Sequence, residues 1–285
     1  MRSACASLRE GGVSPRRLGL VPTMGALHDG HLSLVRACKQ RCALTAVSIF
    51  INPTQFGLGE DLALYPRTFE EDCRQLEDEG VDLLFAPEAA EMFPAGSERS
   101  FVEVPGIGDR LDGLSRPGHF RGVATVVAKL FHIATPDVAF FGQKDAAQVA
   151  VLRAMVRDLN FPVEMAVCPT VRENDGLALS SRNRYLSSGE RLEARALFAS
   201  LREASLAVET GTSDAAALRR MLHQHLAQSP GVRVDYCETV DPETLLAVSD
   251  VANGALMAVA AWVGSTRLID NLVLPPASQA DGRAR

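Results

Sequence analysis

The chain lacks any concentrated run of Lys and Arg. Its 29 basic residues are dispersed among 35 acidic ones, for a formal charge of −6. A polyanion partner needs a clustered basic footprint, so nucleic acid is not an expected partner. No stretch approaches the apolar length that spans a bilayer, and the N-terminal MRSACASLREGG has no apolar core of a secretory signal. No membrane partner is expected either. The six cysteines, Cys5, Cys38, Cys42, Cys73, Cys168 and Cys237, include no Cys-x-x-Cys frame. Scattered thiols of this kind fit a reducing compartment, and the expected location is the cytoplasm. Cys38 and Cys42 stand one helical turn apart and are read as small apolar packing residues. No internal repeat shows at periods of about 20 to 50 residues, which sets solenoids and propellers aside.

What is present is ordinary globular material: 47% hydrophobic and 22% charged over 285 residues. That suffices for a large core and two domains. The informative stretch is LGLVPTMGALHDGHLSLVRAC, residues 18–38. Leu18, Leu20 and Val21 read as a buried strand that Pro22 ends, and Leu32, Leu34, Val35 and Cys38 then repeat at helical spacing. His28 and His31 stand at the junction, three apart and so on one face. The free N–H groups of a helix start bind anions, phosphate above all, and Gly30 has no side chain to hold a phosphate or purine away. Strand, glycine loop, helix start and two imidazoles together suit a nucleotide phosphate. The plainer alternative is an ordinary capped helix start. A metal pair would stand four apart with further ligands elsewhere.

Further apolar runs follow at 43–51, 81–86, 138–141 and 163–169, with a short FVEV strand at 101–104. Near-continuous apolar strands are buried on both faces, as in a parallel sheet. Thr68 and Glu71 form a capping-box frame before a helix that ends at Gly80. Arg116–Gly122 reads as a surface loop before an apolar helix at 122–134, in which His132 is a core histidine, and another helix covers 146–160. The order β-α-β-α-β, crossover, β-α-β predicts an α/β fold, a Rossmann-like doubly wound parallel sheet. Past Val171 come two amphipathic helices at 188–209 and 213–228, then strands at 232–240, 255–263 and 266–274. They predict a smaller C-terminal α+β domain. The expected division is 1–171 as the nucleotide- and acid-binding domain and 172–285 as a lid, with the tail PPASQADGRAR disordered.

The polar segments 22–31, 52–57, 142–145 and 169–184 each follow a proposed strand. A parallel sheet would bring them to one edge, where ligands bind at the switch point of strand order. Lys144 in GQKD suits triphosphate as a mobile point charge, and Asp145 is either a helix cap or an acceptor for ribose. Ser180, Ser181 and Arg182 offer hydroxyls and a guanidinium in a flexible loop that closes over phosphates. Gln55 and Gln148 are neutral bidentate groups for reading hydroxyls and a carboxylate, or plain surface glutamines.

PTMGALHDGH resembles the HxGH signature of nucleotidylyl transferases and class I aminoacyl-tRNA synthetases. In this extended form it is similar to the pantothenate synthetase family. The likeness continues through INPTQF, YPRT, GHFRGVATVVAKLF, FFGQKD, MVRDLNFPV and DGLALSSRNRYL, and Ser-Ser-Arg stands where a second signature loop usually carries lysines. The resemblance implies ATP contacts from Met24, Gly25, Ala26, Leu27, His28, Asp29, Gly30 and His31. It implies further ones from Gly142, Gln143, Lys144, Asp145, Val171, Leu179, Ser180, Ser181 and Arg182. It also implies pantoate and β-alanine at Gln55, pantoate at Gln148, proton transfer by His31, and a catalytic set of His28, His31, Lys144 and Arg182. ATP would act as substrate with Mg²⁺, whose ligands the sequence does not identify, in a homodimer. One departure stands out: Ala146-Ala147-Gln148 replaces the usual Tyr-Gln-Gln. The implied reaction condenses pantoate with β-alanine through a pantoyl adenylate, releasing AMP and pyrophosphate. A different adenylyl- or cytidylyltransferase, or a nucleotide-binding module without chemistry, remains open from the residues alone.

Overall fold

The computed structural model describes residues 1–9, 16–57, 59–94 and 100–277. Five strands form a parallel sheet: β1 (Leu18–Thr23), β2 (Leu44–Ile49), β3 (Leu83–Phe85), β4 (Val138–Gly142) and β5 (Glu164–Cys168). Their order is β3-β2-β1-β4-β5, every neighbour parallel. Chain order reverses between β1 and β4, which is the switch point of a doubly wound sheet. Helices α1 (Arg2–Arg9), α2 (Asp29–Arg41), α3 (Phe69–Asp78), α4 (Ala89–Met92), α5 (Asp112–Ser115), α6 (His119–Ala134) and α7 (Ala146–Asp158) connect and flank the strands. On one face Leu34, Val35 and Cys38 of α2 close over Val21, Val47, Val138 and Phe140. The strands read as continuous apolar runs because helices cover them, leaving no wet face to alternate with.

The chain divides into two compact units, Met1–Gln143 with Ala147–Pro169, and Lys144–Ala146 with Thr170–Arg285. The second holds α8 (Ser188–Ala194), α9 (Ala196–Glu209), α10 (Ala215–Leu226) and an antiparallel sheet β6 (Val232–Val240), β7 (Ala255–Val263) and β8 (Thr266–Leu274). Leu197 and Leu201 of α9, with Leu218 and Leu222 of α10, pack on Met257, Val259 and Ala261 of β7. The expected fold class is present in both parts. No helix among the described residues is long and apolar enough to cross a membrane.

Several local expectations are corrected. Pro22 does not end β1, which runs to Thr23. Pairing of β1 with β4 stops at Leu20↔Ala139, so the missing proline N–H costs no rung there. Thr68 makes no capping bond, because its hydroxyl donates to Asp72 instead, at 3.1 Å. FVEV is not a strand: the hydroxyl of Thr125 accepts from Val102 N at 2.9 Å and donates back to its carbonyl at 3.4 Å, which replaces a ladder. His132 is exposed rather than in the core, and its ring lies 5.3 Å from that of Phe161. The first amphipathic helix is two, α8 and α9, broken at Arg195. The tail from residue 278 onward, expected to be disordered, lies outside the described residues.

Phe140 is fully buried at the centre of the sheet. Replacing it by alanine removes a large apolar side chain from the face that Leu34, Val35 and Cys38 of α2 close over. Phe140→Ala is expected to cost about 3–5 kcal/mol, read as a lower urea midpoint with an unchanged slope.

Candidate functional site

The turn out of β1 is held from two sides. Thr23, at its start, donates its hydroxyl to the Ser48 carbonyl of β2 (2.7 Å) and accepts from Gly25 N (3.2 Å). Gly25 and Ala26 then both have positive φ, 79° and 50°. From the other side comes Asp72 of α3, 1% exposed. Its two carboxylate oxygens accept the N–H groups of Ala26 and Leu27, each at 2.9 Å. A Cβ on Gly25 would lie 3.0 Å from both Asp72 Oδ2 and Ile49 Cγ2, so glycine is needed there for space as well as for φ.

The turn delivers His28 as the N-cap of α2. Its Nδ1 accepts from Gly30 N at 3.2 Å. An accepting Nδ1 carries no proton, so the capping imidazole is neutral with its hydrogen on Nε2. The rings of His28 and His31 lie 4.1 Å apart between centroids, one face as expected. Leu27 is buried and Asp29 exposed, with Gly30 and His31 between these extremes.

The turn after β2 meets this one. Gln55 donates from Nε2 to Met24 Sδ at 3.1 Å and accepts at Oε1 from Asn52 Nδ2, also at 3.1 Å. Asn52, 1% exposed, further donates to the Gly122 carbonyl of α6 and caps the 3₁₀ turn Pro53–Gln55. A Cβ on Gly122 would meet Thr54 O at 2.3 Å, so α6 can approach only where it carries glycine. The Arg116–Gly122 segment is therefore no free surface loop. His119 donates from Nδ1 to the Gln55 carbonyl at 2.8 Å, and its Nε2 accepts from Arg116 at 3.1 Å. Arg116 also pairs with Glu60. Burial, and then the adjacent Arg116 charge, push the His119 pKa down to about 4. Burial pushes the Glu60 carboxyl up, but the bond and charge of Arg116 outweigh this and hold it below its ordinary value.

At the end of β4, Gly142 leads into the 3₁₀ turn Gln143–Asp145. Lys144 Nζ donates to Asp145 Oδ1 at 3.3 Å, and Asn271 of β8 donates to the Lys144 carbonyl at 2.8 Å. Gln148 stands half-buried on the first turn of α7, just after the buried Ala146 and Ala147. It is on a different element from the Gln55 turn.

In the second unit, Leu179 N donates to the Val171 carbonyl at 3.0 Å, closing a small hairpin around Gly176, φ 92°. Arg172 fixes the hairpin to β8 by two bonds to the buried Asp270, 2.6 and 2.9 Å, and its guanidinium lies 3.7 Å from the Phe198 ring centroid. Ser180 caps the following segment by accepting from Arg182 N. Residues Ser181–Tyr185 are a 3₁₀ turn and not an open loop. Asn183 secures it to Glu173 and to the Ala178 carbonyl, both at 3.0 Å. Ser181 is buried, and Arg182 half-buried.

A family model described as pantoate-beta-alanine ligase matches residues 1–273. The chain belongs to that family. A pantothenate synthetase of Koribacter versatilis is 54% identical over 282 residues, 99% of this chain and 96% of its own length. One of Acidobacterium capsulatum is 60% identical over 259 residues, 91% of this chain and 86% of that protein. Among solved structures, pantothenate synthetase from Thermus thermophilus aligns with TM-score 0.89 at 47% identity, over 95% of this chain and 98% of that one. Pantoate-beta-alanine ligase from Francisella tularensis, complexed with beta-gamma ATP and beta-alanine, aligns with TM-score 0.77 at 34% identity, over 94% of each chain.

For this family member, the structure joins Met24 to Gln55, His28 to His31, Lys144 to Asp145, Val171 to Leu179 and Ser180 to Arg182. Sequence reasoning missed the residues that support these pairs: Asp72, Asn52, Glu60, Arg116 and His119. Asn52-Pro53 carries a turn signal. Asp72 lies inside a helix and carries none.

Two outcomes follow from this geometry. Gly25→Ala forces a Cβ into φ 79° against Asp72, and a loss of about 1–2 kcal/mol or more is expected in urea unfolding. His119 stays neutral in the folded chain down to about pH 4, whereas the unfolded chain protonates it near 6.5. Between those values the unfolded state binds more protons, so stability falls as pH drops through that window. In His119→Gln this part of the slope should be absent, as read by unfolding midpoints from pH 7 to pH 4.

Proposed function

We propose that this chain condenses (R)-pantoate with β-alanine at the expense of ATP. The carrying observation is the turn Thr23–His31 at the carboxyl end of β1, beside the switch point, where α2 opens with His28, Gly30 and His31. A helix start at that edge holds phosphate. The complex of the Francisella tularensis ligase with beta-gamma ATP and beta-alanine supports those two substrate classes here.

The pantoate carboxylate, ionised at neutral pH, attacks the α-phosphorus, and the bond to the bridging oxygen breaks as pyrophosphate leaves. The β-alanine amine then attacks the acyl carbon of the mixed anhydride. AMP departs with the bond electrons and the amine gives up a proton, for which His31 is assigned. Lys144, Arg182, Ser180 and Ser181 are assigned to the phosphates, Gln55 and Gln148 to pantoate, and Gln55 also to β-alanine. The protein's task is to position the reactants and offset developing charge. In this reading residues 1–171 bind ATP and pantoate, 172–285 act as a lid, and the enzyme works as a cytoplasmic homodimer.

Mg²⁺ enters as the counterion of ATP. Mg²⁺ keeps several waters and binds largely through substrate phosphates with one or two carboxylates. Among the described residues no group of three or more His, Cys, Asp or Glu side chains could hold a metal ion.

Pantoate-dependent ATP–pyrophosphate exchange, followed by AMP and pantothenate release on adding β-alanine, tests the reading. A stable nucleotidyl product would instead indicate a nucleotidylyltransferase, and binding without exchange a nucleotide module. His31→Ala and Lys144→Ala should each lower kcat roughly 10²-fold, more than they raise KM for ATP. Single-turnover adenylate formation at wild-type rate in both would remove them from the catalytic set. Gln148→Ala should weaken pantoate use while leaving ATP binding alone. In the wild type a deoxy analogue should lose up to roughly 10⁴-fold in kcat/KM, because buried polar groups would be left unpaired.

A further inference from the structure

We propose that Asp72 is a positioning residue for adenylate formation, holding the Gly25–Leu27 turn in the one conformation that presents His28 and His31. The inference rests on the ligase reading above. Asp72 lies on α3, 41 residues beyond His31 in the chain, with only 1% of its surface exposed. A buried carboxylate is costly unless donors surround it, and here two of them are consecutive amides of the turn. Ala26 N–H meets Oδ2 and Leu27 N–H meets Oδ1, each at 2.9 Å, while Thr68 Oγ1 adds a third bond to Oδ1. Two adjacent amides held by one rigid carboxylate fix the peptide plane between them, and with it Ala26 at φ 50°. A residue with a Cβ leaves that region readily when nothing holds it.

The next residue is His28, whose extended backbone and Nδ1 cap set the start of α2. Freeing the turn would move the cap and the histidine pair with it. The same geometry also assigns these amides: Ala26 and Leu27 N–H serve the carboxylate, so phosphate is left to the first turn of α2 and to side chains.

Asp72→Asn tests this with almost no change of shape. The amide keeps one acceptor oxygen and replaces the other with a donor, so one turn amide faces an N–H. The expected result is a fall of roughly 10- to 100-fold in kcat/KM for ATP, measured in pantoate-dependent exchange. KM for pantoate should stay within about twofold of wild type. Amide hydrogen exchange at Ala26 or Leu27 should quicken by about tenfold or more, while Leu20 and Val21 in β1 keep their rates. Thr68→Val, which leaves both turn contacts in place, should stay within about twofold of wild type.

Wild-type kcat/KM for ATP in Asp72→Asn overturns the proposal. If the wild type shows no pantoate-dependent exchange, the ligase reading fails instead. Amide exchange together with ATP affinity by equilibrium dialysis then decides the role of Asp72, and an unchanged affinity in Asp72→Asn overturns it. Should Asp72→Asn not fold, the wild-type amides decide. Protection at Ala26 and Leu27 matching that of β1 supports the carboxylate clamp, and exchange at open-loop speed overturns it.

Discussion

The chain leaving β1 must reverse into α2 within the few residues from Met24 to Leu27, and it does so through two successive positive φ values. Such a turn is not favoured by its own backbone once one of the two residues carries a Cβ. Its shape is set from outside, by Thr23 bonded to β2 and by Asp72 reaching from α3. The position of α3 depends in turn on the crossover from β2 to β3. A local feature, the N-terminus of α2, thus depends on half of the parallel sheet.

The neighbouring turn is built on the same plan, with a different supplier. Gln55 sits on a short 3₁₀ turn whose backbone carbonyl is held by His119 and Arg116, more than sixty residues later in the chain. Glycine at position 122 lets α6 approach Thr54, and Asn52 ties the turn to α6 from below. The hydrogen-bond pattern leaves His119 one tautomer, Nδ1–H toward a carbonyl and Nε2 toward a guanidinium, and that tautomer is neutral. Its lowered pKa follows from the same two facts, burial and the Arg116 charge. Met24 and Gln55 touch across these two turns, so the turns share one arrangement.

The strands were legible because a sheet covered on both faces must read as continuous apolar runs, and β6, β7 and β8 matched their runs residue for residue. The strand-to-helix frame around His28 was legible because glycine, a cap and helical spacing are local signals. What stayed hidden has one physical character: contacts between residues distant in the chain. Thr68 looked like half of a capping box, but its hydroxyl found a carboxylate four residues on that was already committed to the β1 turn. The Arg116–Gly122 segment looked like a surface loop because Pro117, Gly118 and Gly122 punctuate it, while Arg116 and His119 within it serve Gln55. FVEV has strand composition without a strand neighbour, and one threonine hydroxyl takes both backbone bonds of Val102. His132 sits in an apolar helix but on the side that meets solvent, where periodicity over so uniform a run gives little guidance.

The cap at His28 bears on where positive charge for the triphosphate would come from in the proposed reaction. His28 caps α2 through an unprotonated Nδ1, so protonation at that nitrogen would remove the acceptor that begins the helix. A cationic His28 and an intact helix start therefore exclude each other when the proton sits there. The partial charge of the helix end is fixed and needs no proton, and Lys and Arg keep theirs across the physiological range. On the proposed reaction this divides the labour cleanly. In that proposal the phosphate charge is assigned to the start of α2, to Lys144 and to Arg182, and the proton released when the β-alanine amine attacks is assigned to His31. A site that relied on imidazolium for charge would lack that base at the step that needs it.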